Sequence, residues 1–419
     1  MRLIIGIFTT LLFFMGQAYA DNAPETLDFK KSLHMAYEHH PAMLEARKAL
    51  QFAQGDLITA RSLPNPEVEL EFGGLRKNEE GKRKTNLDTI EIRQPLNPLG
   101  VGFLKTRIAS NEVKIHEQQL KSVWASVYTQ VWQQYSEVII SHKKLELAEQ
   151  NLEAMRQFFG KVQVKFQGGR VLKNELQRAK IELLKAENEF LQAQNQHKNS
   201  KAQLNLSLGR AIDIDFETEE ELTEQELNLD FEKIKAQALA NRPDIKIAGL
   251  ELDSSKKNLA KEQASRLPSY FVGFQKTDKA DDKDYAVLFG FSIPIWNLNQ
   301  GEVKKAKAEK EFQEVRQKSV TNQALLDVYM AFSEVELKKQ QLELFNNSLE
   351  ESHELLRLAN TRYGEGKIDF LNYLDQITAS IGAKTGYYEA LLNYSQSISH
   401  LETSINGSLR GEEGFHEKP

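Results

Sequence analysis

The chain has 419 residues, 40% of them hydrophobic, and its 54 basic and 60 acidic side chains give a formal net charge of −6. These charges are well mixed and form no basic stripe, which argues against a nucleic acid partner. Cysteine is absent, so the sequence offers no disulfide, no thiolate metal site and no cysteine for lipid attachment.

The N-terminal residues 1–20 predict a secretory signal peptide. Arg2 supplies the positive start, an apolar run follows, and Ala18-Tyr19-Ala20 has the small-residue pattern of a cleavage site. The alternative, a transmembrane anchor, is disfavoured because the apolar run is short for a bilayer of about 30 Å. No later stretch approaches 18 consecutive apolar residues, so we expect no membrane-spanning helix in the mature chain.

The mature sequence contains the same order of sequence features twice. Leu27-Asp28-Phe29 recurs as Leu229-Asp230-Phe231, at an offset of 202, and the seven-residue apolar pattern of the long helix recurs at an offset of 197. Internal similarity with so long a period predicts two large structural repeats. We place them at 21–228 and 229–407, followed by a loose C-terminal tail at 408–419.

Each repeat begins with two helical patterns separated by a proline. The first helix is predicted at about 27–39 and again at about 229–241, and the second at about 42–62 and again at about 244–266. A residue that precedes proline disfavours the helical region, so a helix boundary is expected at each junction.

An alternating pattern of charged and apolar residues follows the helices. Glu67 to Phe72 alternates strictly, and Asp88 to Arg93 does so more loosely, which predicts a β-hairpin at 67–95. A second hairpin is predicted at 269–294. The strands are about 8–10 residues long, the length with which a tilted strand crosses a bilayer. Charged loops form the hairpin tips, at 76–84 and 277–283.

The stretch at 102–166 repeats apolar residues every seven positions. A period of seven indicates a helix that coils around its neighbours, and about 65 residues make a rod of about 100 Å. The same seam returns in 300–363. Glycine turns end both rods, and return helices are predicted at 171–208 and 368–406. A belt segment at 209–241 joins the repeats. The seam positions of the first rod are Trp124, Val131, Val138, Leu145, Leu152, Phe159 and Phe166.

Four strands cannot close a barrel, and an open sheet edge in lipid leaves backbone groups without hydrogen bonds. Three chains with twelve strands form an economical closed ring. We therefore predict a mainly α fold with a small β part. A long coiled α-helical barrel would join a four-stranded contribution to a trimeric 12-stranded transmembrane β-barrel. Such a tube is a conduit.

The order of elements, the duplication and Leu63-Pro64-Asn65-Pro66-Glu67 before the first strand resemble the TolC-like outer membrane efflux proteins, also called outer membrane factors. The opening Leu-Asp-Phe…His-Pro segment is most similar to the CzcC/CusC heavy-metal efflux branch. The resemblance covers 25–407. It implies a homotrimeric exit duct in the Gram-negative outer membrane that extends into the periplasm. Its partners would be a periplasmic adaptor and an inner-membrane pump of the resistance-nodulation-division type, and its substrates metal cations or drugs.

The resemblance also implies roles for residues near the glycine turns. Acidic residues past each turn would close the periplasmic end, and the turns would dock the adaptor. The alternative is that the acidic residues are ordinary solvated helix residues and that the turns only connect helices. The gate candidates are Glu175, Asn372 and Asp375. The docking candidates are Gly168, Gly169, Arg170, Tyr363, Gly364, Gly366 and Lys367.

Catalysis is not expected. The nine histidines do not cluster, and His353-Glu354 lacks the second histidine of a zinc-protease helix because Arg357 occupies that position. We find no catalytic motif, no cofactor-binding motif and no metal site. Two other functions stay open at this point: an exit duct for type I protein secretion, and a structural coiled-coil protein of the periplasm.

Overall fold

The computed structural model describes residues 25–73, 76–77, 83–84, 87–219, 221–224, 227, 229–279 and 282–409. The predicted signal peptide lies outside these ranges. So do most of the first hairpin tip, residues 280–281 of the second tip, parts of the belt segment and residues 410–419 of the predicted tail. Ser408 and Leu409, the first two residues of that tail, hydrogen-bond to the buried Glu402 side chain.

Eight helices and eight strands occur in the described ranges. The helices are α1 Phe29–His39, α2 Pro41–Arg61, α3 Val101–Gln167, α4 Lys173–Ser207, α5 Phe231–Asn241, α6 Pro243–Ala264, α7 Gln300–Gly364 and α8 Phe370–Ile405. The strands are β1 Glu25–Leu27, β2 Glu67–Phe72, β3 Arg76–Lys77, β4 Arg83–Lys84, β5 Leu87–Leu96, β6 Phe216–Thr218, β7 Ser269–Lys279 and β8 Asp282–Ser292. Among the described helices, none is both long and apolar enough to cross a bilayer.

The prolines separate the short helices as predicted. His40 and Arg242, the residues before Pro41 and Pro243, have ψ angles of 128° and 125°. These extended conformations are the ones that a following proline favours. Each residue still closes the last turn of its helix, because its N–H donates to Ala36 or Ala238.

The seven-residue seam is buried along most of α3. Trp124, Val131, Val138 and Leu152 are all buried, as are the seam residues Val328, Val335 and Leu342 of α7. Phe166, one residue before the end of α3, is exposed. The period of seven therefore marks a core seam that ends before the helix does.

One compact unit comprises residues 25–43, 124–234 and 328–409. Within it, α1 packs on α3 through aromatic rings, with Phe29 perpendicular to Trp132 at 4.6 Å between centroids. The strands β1 and β6 form a two-stranded parallel sheet. An ion pair of 2.8 Å between Arg210 and Glu25 lies beside this sheet. Neither of these two strands was predicted from the sequence.

The other compact unit comprises residues 44–123 and 235–327. It contains α2, α6 and a four-stranded antiparallel sheet in the order β2-β5-β7-β8. Asn111 on α3 donates to Asp253 on α6 at 2.8 Å. Each unit draws segments from both predicted repeats, so the spatial division and the sequence repeat divide the chain differently.

Candidate functional site

Both long helices end in the same backbone motif. At the end of α3, the Arg170 N–H donates to the Lys165 carbonyl and the Gly169 N–H donates to Phe166. At the end of α7, Lys367 donates to Arg362, and Gly366 donates to Tyr363. This pair of bonds is the Schellman motif, and it satisfies carbonyls that a helix end leaves open.

Only one glycine of each turn requires its special backbone freedom. Gly169 and Gly366 have φ angles of +70° and +73°, in the left-handed region that disfavours a side chain. Gly168 and Gly364 have no such angle. At the offset of 197, the counterpart of Gly168 is Glu365, so the motif accepts a side chain at that position.

The helices that leave the two turns begin differently. Asp369 caps α8, because its side chain accepts a 2.8 Å hydrogen bond from the Asn372 N–H. The equivalent residue before α4 is Leu172, an exposed apolar side chain that makes no capping bond. We call the turns that follow α3 and α7 the first and second helix tips. The first tip therefore has the apolar side chain of Leu172 where the second has the carboxylate of Asp369.

An aromatic cluster supports the tips. Tyr363 stacks on Tyr373, and both rings lie within 6 Å of Phe158, centroid to centroid. The Lys165 ammonium lies 5.1 Å from the Tyr363 ring centroid, a cation–π distance. Burial raises the pKa of the Tyr363 hydroxyl, and the nearby Tyr373 and Glu175 raise it further.

A cleft of about 490 Å³ opens between the two turns. It brings together three of the candidate residues, Glu175, Tyr363 and Gly366, beside Arg178 and Asp369. Asn372 and Asp375 do not line it, and both are exposed, whereas Glu175 is half-buried. The remaining docking candidates Arg170 and Lys367 are exposed, and the Lys367 ammonium lies 2.7 Å from the Glu365 carboxylate.

Arg178 is a tip residue that sequence reasoning missed. At the offset of 197, Glu175 corresponds to Asn372 and Arg178 corresponds to Asp375. The second pair therefore places opposite charges at equivalent positions of the two tips. The repeat offset applied to the tips would have found this residue. In the described part of the chain, no cluster of three or more His, Asp or Glu side chains could hold a metal ion.

The four-stranded sheet has one apolar and one polar face. Val68 lies opposite Ile92 on one face, whereas Glu69 lies opposite Glu91 on the other. Arg93 shares the polar face, with its guanidinium 3.6 Å from the Glu69 carboxylate and bonded to Glu91. The apolar face continues across the other strands through Val272, Phe274, Tyr285, Val287, Phe289 and Phe291.

The long helices, the equivalent turns at their ends and the sheet with one apolar and one polar face form the fold of an outer membrane channel. The family described as "Outer membrane efflux protein" matches residues 32–210 and 235–407, and the chain belongs to this family. Its predicted location in the outer membrane is thereby confirmed. The two matched segments also agree with the predicted internal repeat.

Similar proteins support the same assignment. The cobalt-zinc-cadmium resistance protein CzcC of Cupriavidus metallidurans is 20% identical over 93% of this chain and 92% of its own length. The CmeC outer membrane channel of Campylobacter jejuni superposes with a TM-score of 0.78 at 16% identity, over 93% of this chain and 90% of that one. A structure of CusC gives 0.77 at 16% identity, over 94% and 96%. The predicted fold class is confirmed.

Proposed function

We propose that this protein is the outer-membrane exit duct of a tripartite efflux system of the resistance-nodulation-division type. It conducts metal cations passively from a periplasmic adaptor and an inner-membrane pump, and it has no catalytic activity of its own. Membership of the efflux family supports the duct. The relation to CzcC, named as a cobalt-zinc-cadmium resistance protein, supports metal cations as the substrate class.

The observation that carries the proposal is the pair of sheet edges. Within the described strands, β2 pairs only with β5, and β8 only with β7. Neighbouring strands all run antiparallel, so β8 and β2 run in opposite directions. The β2 strand of one copy can therefore extend the β8 edge of another as an antiparallel pair.

Closure of this sheet in three copies gives twelve strands, an even number as in outer-membrane barrels. In lipid the sheet would have to close, because the N–H and C=O groups of an unpaired strand edge find no water to hydrogen-bond with. The apolar face would then meet lipid, and the face with Glu67, Glu69 and Glu91 would line the bore. We propose the homotrimer as the closed assembly.

The helix tips would serve the periplasmic end of the duct. Gly168, Gly169, Arg170, Tyr363, Gly364, Gly366 and Lys367 are proposed to dock the adaptor, since the two turns repeat one exposed motif. Glu175, Asn372 and Asp375 are proposed to form the gate. Carboxylates repeated around a narrow opening attract cations by focusing the electrostatic field.

Deletion of the gene tests the function directly. The mutant is expected to lose resistance to cobalt, zinc or cadmium while its survival on bile salts and dyes is unchanged, and a plasmid copy should restore resistance. Sensitivity to bile salts and dyes alone would reassign the substrate to drugs. Loss of toxin secretion alone would favour the type I secretion duct, and a water-soluble periplasmic pool of monomer would favour a structural protein.

A further inference from the structure

Two carboxylates face each other on the polar face of the four-stranded sheet. Glu69 of β2 and Glu91 of β5 are partners in the strand register. Residues paired in this way project their side chains to the same face, with Cβ atoms about 5 Å apart, and like charges there repel each other. Glu91 is only 8% exposed, so little water surrounds its charge. A buried charge of this kind needs a partner of opposite sign.

Arg93 supplies the opposite charge. Its guanidinium lies 3.6 Å from the Glu69 carboxylate and hydrogen-bonds to the Glu91 carboxylate. The strands β2 and β5 contain no other basic residue. Carboxylate oxygens are also the ligands that hard divalent cations prefer. The guanidinium therefore occupies the position between two carboxylates that a divalent cation could otherwise take.

The neighbouring strand β7 holds the Arg93 side chain in place. Gly273 lies opposite Arg93 in the register. A Cβ added at Gly273 would lie 3.5 Å from the Arg93 Cγ and 3.0 Å from the Ile92 carbonyl oxygen. Glycine inside a strand often marks such a close approach. The guanidinium also lies 5.5 Å from the centroid of the Phe271 ring, a cation–π distance.

The second hairpin has neither the carboxylate nor the arginine. The proline near the end of each hairpin recurs at an offset of 199. At that offset, Glu91 corresponds to Gly290 and Arg93 corresponds to Ser292. The two charged groups therefore occur together in one hairpin and are absent together from the other, as expected of groups that compensate each other.

We propose that Arg93 determines how the duct treats divalent cations, because its guanidinium fills the place between Glu69 and Glu91 in which such a cation would be retained. The inference rests on the proposed function, which puts this face of the sheet in the bore. A conducting pore must attract an ion and still release it. The carboxylates of the lining attract cations, and Arg93 prevents the buried pair from holding them. Without the guanidinium, Glu91 would be a buried charge that a divalent cation neutralises.

Block of the channel by cadmium in planar bilayers tests this role. The potassium conductance of each variant is measured with increasing cadmium chloride and normalised to its own value without cadmium. Arg93→Gln is expected to lower the half-blocking cadmium concentration by about tenfold or more, because the vacated pair retains the ion. Arg93→Ser introduces the residue that the second hairpin has at this position and should have the same effect. Arg93→Lys keeps a cation between the carboxylates and should resemble the wild type.

The matched control is Glu91→Gln/Arg93→Gln, which removes the buried carboxylate together with the guanidinium. Cadmium should block this double variant no more strongly than it blocks the wild type. Equilibrium dialysis of the purified protein against cadmium gives a second measurement that needs no channel. Here Arg93→Gln should bind an additional cadmium ion per chain, whereas the double variant should not.

The possible failures of the two proposals differ. Equal block and equal cadmium binding in the wild type and Arg93→Gln would overturn this role of Arg93 and leave the duct standing. A double variant that is blocked as strongly as Arg93→Gln would overturn it as well, because the retained ion would then not depend on Glu91. A wild-type protein that conducts no ions in the bilayer would overturn the proposed duct itself.

Discussion

The rings of Tyr363 and Tyr373 stack with their centroids 4.4 Å apart and their planes 10° from parallel. Tyr363 belongs to the last turn of α7 and Tyr373 to the first turn of α8, so the stack fixes these two helices on either side of the Gly366 turn. The Tyr373 hydroxyl also bonds back to Asn360 on α7. These contacts join α7 and α8 across the turn, so the shape of the second tip depends on the Gly366 turn.

Replacement of Gly366 should distort that shape. Gly366→Val forces a β-branched residue into the left-handed region, at a cost of about 1–2 kcal/mol. Metal resistance is expected to fall while the yield of trimer is unchanged. Gly160→Val is the control, because Gly160 lies within α3 and a Cβ there meets nothing within 4 Å. Normal metal resistance in the Gly366 variant would argue against a role of the second tip in efflux.

The two tips should respond oppositely to changes at the cap position. Asp369→Ala removes the bond to the Asn372 N–H and should cost about 1 kcal/mol. Amide exchange at Asn372 would then accelerate about fivefold. Leu172→Asp should slow exchange in the first turn of α4 by a similar factor, because it adds the cap that this helix lacks. Equal exchange rates in wild type and variants would show that capping does not govern these ends.

The proposed gate predicts opposite effects of Arg178 and Asp375 on ion selectivity. Glu175, Asn372, Arg178 and Asp375 together carry a net charge of −1 per copy. Asp375→Asn brings this sum to zero, and Arg178→Gln brings it to −2. In planar bilayers with a salt gradient, the reversal potential should shift toward anions for the first variant and toward cations for the second. Shifts in the same direction would place these residues outside the bore.

His197 should make stability depend on pH. Burial lowers its pKa to about 4, helped by Lys201 and His142 and opposed by Asp215 and the Val138 backbone. The unfolded chain binds this proton near pH 6.5. The unfolded state therefore holds more protons between these values, and the stability that neutral His197 contributes is lost as pH falls from about 6.5 to 4.

Thermal unfolding of the purified protein at several pH values measures this effect. His197→Gln is expected to flatten the fall in melting temperature between pH 6.5 and 4. His34→Gln changes an exposed histidine and should leave the fall intact. An unchanged slope in the His197 variant would assign the pH dependence to other groups.

Local signals in the sequence account for most of the helical fold. The prolines at 41 and 243 predict the junctions, and the period of seven predicts the buried seam, because both act through neighbouring residues. The predicted rod at 102–166 differs from α3 by one residue at each end, and the rod at 300–363 differs from α7 by one residue at its end only. The alternating pattern likewise predicts β2 with its two faces.

Two features lack such signals. The β1 and β6 strands have three residues each and pair in parallel with residues 191 positions away, so neither has a readable period. Their pairing depends on packing, with Leu27 and Phe216 fully buried. The contrast between Leu172 and Asp369 is visible in the sequence, but its meaning depends on the exact first residue of each helix. The roles of the gate and docking residues stay predictions.

The matched lengths of the helices restrict how such a chain can change in evolution. α4 and α8 have 35 and 36 residues, and α3 and α7 have 67 and 65. Removal of seven residues from each helix of one helical hairpin alone would withdraw its end by about 10 Å and leave the end of the other hairpin protruding. Shorter or longer descendants can therefore arise only through coordinated deletions or insertions in all four long segments, whereas the hairpin loops can vary singly.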